Sequence, residues 1–161
     1  MAYSIDAITD NCYDGTSCLI NKLNIRDEEK LSFVESQITI HKTAQLASLK
    51  NYGNFDFLHY KAIHKYLFNE LYDWAGEIRT VNMSKKGTNF VDANDIETVA
   101  NACFKRLQDK NYFKNQSIDA FIDDIVDFYC ITNMLHPFRD DHVIIRTKLE
   151  KPSKINGLAL I

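Results

Sequence analysis

Ile118, Phe121, Ile122, Ile125, Phe128, Thr132 and Leu135 recur at spacings of three and four, the strongest helical period in the chain. An apolar stripe of that length must be buried against other elements, so it predicts an amphipathic helix at the centre of a core. Ser117 stands where an N-cap hydroxyl is wanted, and Pro137 stops the helix. The opposite face carries Asp119, Asp123, Asp124 and Asp127, which reads as a solvated surface rather than a catalytic carboxylate pair. The helix delivers His136 to its C-terminal edge, with Arg139, Asp140, Asp141 and His142 crowded just beyond it. Histidine is the side chain best suited to general-base work near neutral pH, and an acid four residues later can hold a divalent ion beside it. A helix that ends in an exposed histidine and a polar turn accounts for the same residues.

The remaining elements follow from shorter patterns. A helix is expected to begin near Asp27, where Glu28 and Glu29 complement its positive end, with Leu31, Val34, Ile38 and His41 at helical spacing and a looser continuation to about Leu49. No Cys or acid partners His41 at ligand spacing, so it reads as a helix-face residue. Asn51-Tyr52-Gly53-Asn54 breaks the chain, and Asp56 caps a helix whose face is lined by Tyr60, Ile63, Leu67, Leu71 and Trp74 and which ends at Gly76. His59 and His64 point in different directions on it, which argues against a helical zinc pair. Residues 78–83 alternate as a strand, residues 84–87 turn, and Thr88-Asn89-Phe90-Val91 returns, giving one small hairpin near residues 78–91. A lone hairpin is marginal unless something packs on it, so it should rest on the helical core. Asn94 or Asp95 starts a further helix with Ile96, Val99, Ala100, Cys103, Phe104 and Leu107 on one stripe, and Lys105, Arg106 and Lys110 gather at its end.

A chain of 161 residues fits a single, mainly helical domain, and a net charge of −3 leaves no nucleic-acid footprint. No apolar run is long enough to span a membrane, and Met1-Ala2-Tyr3-Ser4 does not open a secretory signal. The four cysteines are scattered, as free thiols of a cytoplasmic protein would be, with Cys103 and Cys130 expected in the core.

The stretch Leu71-Tyr72-Asp73-Trp74-Ala75-Gly76-Glu77-Ile78-Arg79-Thr80, with Ile63-His64-Lys65-Tyr66-Leu67-Phe68 before it, strongly resembles the Fic (filamentation induced by cAMP) family. Cys12-Tyr13-Asp14-Gly15-Thr16 and Leu19-Ile20-Asn21-Lys22-Leu23 resemble the start of many bacterial Fic domains. His136-Pro137-Phe138-Arg139-Asp140 resembles the first half of the family's signature loop, H-P-F-x-[D/E]-G-N-G-R-x-x-R. The resemblance implies an all-α, Fic-like fold whose hairpin is a flap over an active site. It also implies transfer of AMP from ATP, as co-substrate, to a Ser, Thr or Tyr hydroxyl of a target protein. By position, His136 would be the general base, Arg139, Asp140 and His142 would meet the nucleotide, and Asp140 would hold Mg²⁺. Phe138 would turn inward to pin the loop. The target would add a strand to the flap edge, with Lys85, Gly87, Thr88 and Phe90 lining it and Phe90 clamping the target side chain.

Past Asp140 the pattern stops. Asp141, His142, Val143 and Ile144 stand where the family has Gly, Asn, Gly and Arg, and Arg146 lies one position short of the second family Arg. The glycines of that loop supply positive φ around phosphate, and Asp141 adds negative charge there. With Pro152 and Asn156-Gly157 interrupting a short end, the domain of residues 1–161 reads as incomplete at its C-terminus, by a shifted frame or a decayed gene. Adenylyl transfer should then be impaired or absent. Two other readings are a non-catalytic Fic-like module that binds a partner through the flap, and a metal-dependent phosphohydrolase built on His136, Asp140, Asp141 and His142. No Ser or Thr has a Glu four residues later, so an inhibitory helix of the family's S/T-x-x-x-E-[G/N] type is not expected and inhibition would fall to a separate partner.

Overall fold

The computed structural model describes residues 4–5, 11–49, 53–85 and 87–139. Helices dominate the described residues: α1 (Glu28–Ser48), α2 (Phe57–Phe68), α3 (Ile96–Asp109) and α4 (Ile118–Leu135). The short strands β1 (Ser4–Ile5), β2 (Met83–Lys85) and β3 (Thr88–Asn89) form one antiparallel sheet in the order β1-β2-β3. The mainly helical architecture with a small hairpin is the one expected from the sequence.

Three helices start where a short polar side chain takes up free backbone donors. Asp27 accepts from the Lys30 N–H, Asp56 from the His59 N–H and Ser117 from the Ala120 N–H. Two apolar clusters result. In one, Phe57, Ile96, Ala100, Phe104, Leu107, Phe113 and Leu135 join the start of α2 to α3 and α4. In the other, Leu67, Phe68, Leu71, Tyr72 and Ala75 pack with Val34, Ile38 and Leu46 of α1.

Several expectations need correction. The core face of α4 is narrower than its period suggests. Phe121, Ile125 and Phe128 pack inward and Leu135 is fully buried, whereas Ile118 is 74% and Ile122 50% exposed. Cys130 is exposed too, because it lies four residues on from half-exposed Val126 along that outer stripe; Cys103 is buried as expected. The α4 carboxylates are not all solvated. Asp124 is buried, because the basic end of α3 crosses it: Lys110 and Gln116 donate to its two oxygens, and Arg106 reaches Asp127 at 3.1 Å.

Helix α2 stops at Phe68, well before Gly76. The buried Lys42 Nζ of α1 donates to the Tyr66 carbonyl and to Asn69 Oδ1, both at 2.7 Å, and takes up the groups a longer helix would use. Leu71 and Trp74 therefore sit in the turns that follow. The hairpin is also shorter than its alternating pattern, since pairing begins only at Met83. Before that the Arg79 N–H donates to the Pro137 carbonyl at 2.9 Å, so the stem serves the end of α4 rather than the returning strand.

The Lys110 ammonium, hydrogen-bonded to Asp124, holds that carboxyl below the usual carboxylate range, with Gln116 adding to the effect. A carboxyl depressed on folding stabilises the protein fully above its unfolded value, about 4, and loses that contribution as pH falls through the folded value. Asp124→Asn should therefore lower the urea midpoint at pH 7. The gap from the parent should close as pH drops below about 4, read from urea melts across that range.

Candidate active site

The site is built where α4 ends. A residue before proline avoids the right-handed helical region, and His136 instead takes the left-handed conformation, φ 38 and ψ 62. Such a cap is usually glycine, and a side chain there costs about 1–3 kcal/mol. The surroundings impose it. The Arg79 Nε donates to the His136 carbonyl at 2.8 Å, and the guanidinium also donates to the carbonyls of Leu135, Val81 and Val91. On the other stem the Val91 N–H donates to the Met134 carbonyl at 3.0 Å. The last turn of α4 is thus held between the two stems of the hairpin. Burial draws the Arg79 pKa down from its ordinary value and the Asp92 carboxylate opposes this. Asp92 is itself held below the carboxylate range, chiefly by the Asn94 backbone N–H and the Asn82 side chain.

Side chains complete the arrangement. The Phe90 ring lies flat on the His136 imidazole, centroids 4.2 Å apart and planes 10° from parallel. Phe138 turns inward and is buried, stacked on His64 at 3.7 Å. His64 is fixed in turn, because its Nδ1 accepts from the Gly76 N–H at 2.8 Å. Gly76 has φ +83, and a Cβ there would lie 2.7 Å from Lys65 Cβ, so this close turn admits only glycine.

Of the site residues expected from sequence, His136 and Phe90 are brought together. Lys85, half-buried, and Gly87 and Thr88, exposed, lie on the hairpin around its turn, with Gly87 at φ +79. Arg139 is half-buried just past the helix, close enough to Cys12 for its charge to act on that thiol. Asp140, Asp141 and His142 lie outside the described residues, and with them the residues expected to meet phosphate and metal. Among the described residues no group of His, Cys, Asp and Glu could hold a metal ion. Sequence reasoning gave no role to Arg79 or His64. An arginine inside a half-buried alternating segment was the available signal for the first. Arg79 meets backbone carbonyls, and His64 meets a backbone N–H and the Phe138 ring, all contacts between residues distant in sequence.

A helical domain with a histidine at the end of α4 and a small hairpin beside it is the arrangement that the resemblance to Fic-type proteins implies. The chain belongs to the Fic/DOC family, whose model matches residues 54–141. It is 34% identical over 130 residues to the Sinorhizobium fredii protein named probable protein adenylyltransferase y4lH, a match covering 80% of this chain and 66% of that one. It is 30% identical over 129 residues to the Escherichia coli protein named probable protein adenylyltransferase Fic, covering 79% of this chain and 62% of that one. Among solved structures, the N-terminal Fic domain of a Bartonella effector protein from Bartonella sp. AR 15-3 superposes with a TM-score of 0.76 at 26% identity, over 81% of this chain and 64% of that one. The chain thus spans less than two-thirds of the length of these relatives.

Arg79→Met keeps the apolar stem but leaves the carbonyls of Val81, Val91 and His136 without their charged donor. It should cost about 3–5 kcal/mol by urea unfolding, with Arg79→Lys recovering less than half because one ammonium cannot span three directions.

Proposed function

We propose that this chain carries a protein adenylyltransferase site, derived from an active one and impaired on its phosphate side. The observation that carries the reading is His136, an imidazole held in a left-handed cap under the Phe90 ring beside a hairpin able to present an extended segment. In the proposed reaction His136 takes the proton from a Ser, Thr or Tyr hydroxyl of the target. The hydroxyl oxygen bonds to the α-phosphorus of ATP, and the bond to the β-phosphate breaks to release pyrophosphate. Histidine suits this role because its proton affinity is matched to neutral pH. Arg139, Asp140 and His142 are the proposed nucleotide contacts, and Lys85, Gly87, Thr88 and Phe90 the proposed target contacts. Asp140, a hard oxygen donor, is the proposed Mg²⁺ ligand, and the ion would neutralise phosphate charge there.

Asp141, His142, Val143 and Ile144 set the limit. The family's arginine at position 144 is replaced by an apolar residue and its flanking glycine by Val143, which cannot take positive φ cheaply. With Arg146 one position short of the second family arginine, two charge-assisted phosphate contacts are lost, which weakens nucleotide binding by about 1.5–3 kcal/mol each. Phosphoryl-type transfer depends on orientation, and about 1 Å of misplacement costs on the order of 100-fold.

With α-labelled ATP and Mg²⁺, the unaltered chain should label protein in extract weakly or not at all. Restoring the loop by Asp141→Gly, His142→Asn, Val143→Gly and Ile144→Arg should raise nucleotide affinity at least tenfold by calorimetry. Where the restored chain transfers label, adding His136→Ala should abolish transfer and leave nucleotide binding nearly unchanged. A restored chain that binds no nucleotide would sink the reading, and strong labelling by the unaltered chain would remove the impairment.

A further inference from the structure

The hairpin has a third strand. Ser4–Ile5 pair antiparallel with β2, Ser4 opposite Ser84 and Ile5 opposite Met83, on the edge that β3 leaves open. A free strand edge offers a row of unpaired N–H and C=O groups to any extended chain in register. The two outer edges of the hairpin are not equivalent. On β2, Met83 is buried and Ser84 and Lys85 are half-buried, while the stem behind it runs to Arg79. On β3, Thr88 and Asn89 are both exposed. The firmer edge for an added strand is therefore β2, and the chain's own N-terminal segment already occupies it.

We infer that residues 4–5 are a built-in strand ligand of the β2 edge, which an extended segment of a target protein must displace in order to dock. This rests on the reading above that a target docks on the hairpin, and it names the occupant it must replace. The partner it fits is an extended polypeptide that supplies a main-chain ladder, with an apolar residue opposite Met83 to share its buried face. A strand carried on the same chain competes at an effective concentration on the order of millimolar, enough to hold off a free peptide of ordinary affinity. The device differs from a glutamate that plugs a nucleotide site, because it acts on the protein substrate and leaves ATP access alone.

The probe is a fluorescein-labelled peptide with the sequence of residues 1–8, titrated by anisotropy. The unaltered chain is compared with the same chain carrying Ser4→Pro and Ile5→Pro, which removes both strand N–H groups. Circular dichroism checks that the variant keeps its helices, and deletion of residues 1–10 serves as the second variant where the prolines disturb folding. The peptide should bind the variant at least tenfold more tightly than the unaltered chain, and adding Ser84→Pro should abolish that binding. Equal affinity for both chains, or no saturable binding to either N-terminal variant, would overturn the inference. Because the readout is strand binding, failure of adenylyl transfer alone leaves this inference standing and counts only against the proposed activity.

Discussion

The buried guanidinium of Arg79 ties together the parts of the site. Burying an arginine costs heavily unless its donors are satisfied, and here they meet carbonyl oxygens from three separate places. His136 and Leu135 supply them from the end of α4, Val81 from the outgoing stem and Val91 from the returning one. Hydrogen bonds from a charged donor are roughly twice as strong as neutral ones, and the planar fork can reach all three sites at once. A two-stranded hairpin this short would not persist alone in water. Anchored at both stems to one side chain, it keeps a fixed position over His136.

Polar contacts also set the opposite flank. The buried stripe of α1 is Leu31, Glu35, Thr39 and Lys42, only one of them apolar. The Tyr72 hydroxyl donates to Glu35 Oε2 at 2.5 Å, the Thr39 hydroxyl returns to the Glu35 carbonyl, and Lys42 pairs with Glu70 at 2.9 Å. These contacts fix where α2 ends and how the turns to Gly76 run. The Gly76 N–H then orients His64, and the His64 ring backs Phe138. A line of hydrogen bonds and stacked rings thus connects α1 to the loop after His136.

Much of the helical frame was legible because its signals are local. Asp27, Asp56 and Ser117 each cap where a short polar residue precedes an apolar run, and the stripe of α3 is buried at Ile96, Ala100, Cys103, Phe104 and Leu107. What was misread depends on partners distant in sequence. Asp124 looks like its exposed neighbours until Lys110 and Gln116 are placed beside it. Ile118 and Ile122 match the helical period yet face outward. The β1 strand has no pattern of its own, since two residues show no alternation, and only β2 defines it. In the site, the resemblance put Phe90 on a flap over the active site without its contact to His136, and Arg79 as the anchor was not legible.

The left-handed cap at His136 explains why this position tolerates strain. Glycine would relieve the backbone but remove the imidazole. A right-handed residue would run against Pro137 and turn the Pro137 carbonyl away from the Arg79 N–H that donates to it. The strain is offset locally by the Arg79 bond to the His136 carbonyl and by the face-on contact with Phe90. All of these lie before residue 140, whereas the departures from the family pattern begin at 141. On the proposed chemistry the two halves of the site are physically separable: one orients a hydroxyl and takes its proton, the other cradles phosphate. The first half rests on Arg79, Phe90 and the end of α4, none of which depends on the identity of residues 141–144 for the contacts described. A change confined to the loop would therefore lower nucleotide positioning while leaving the histidine and the hairpin edge in place, so that strand recognition can outlast transfer.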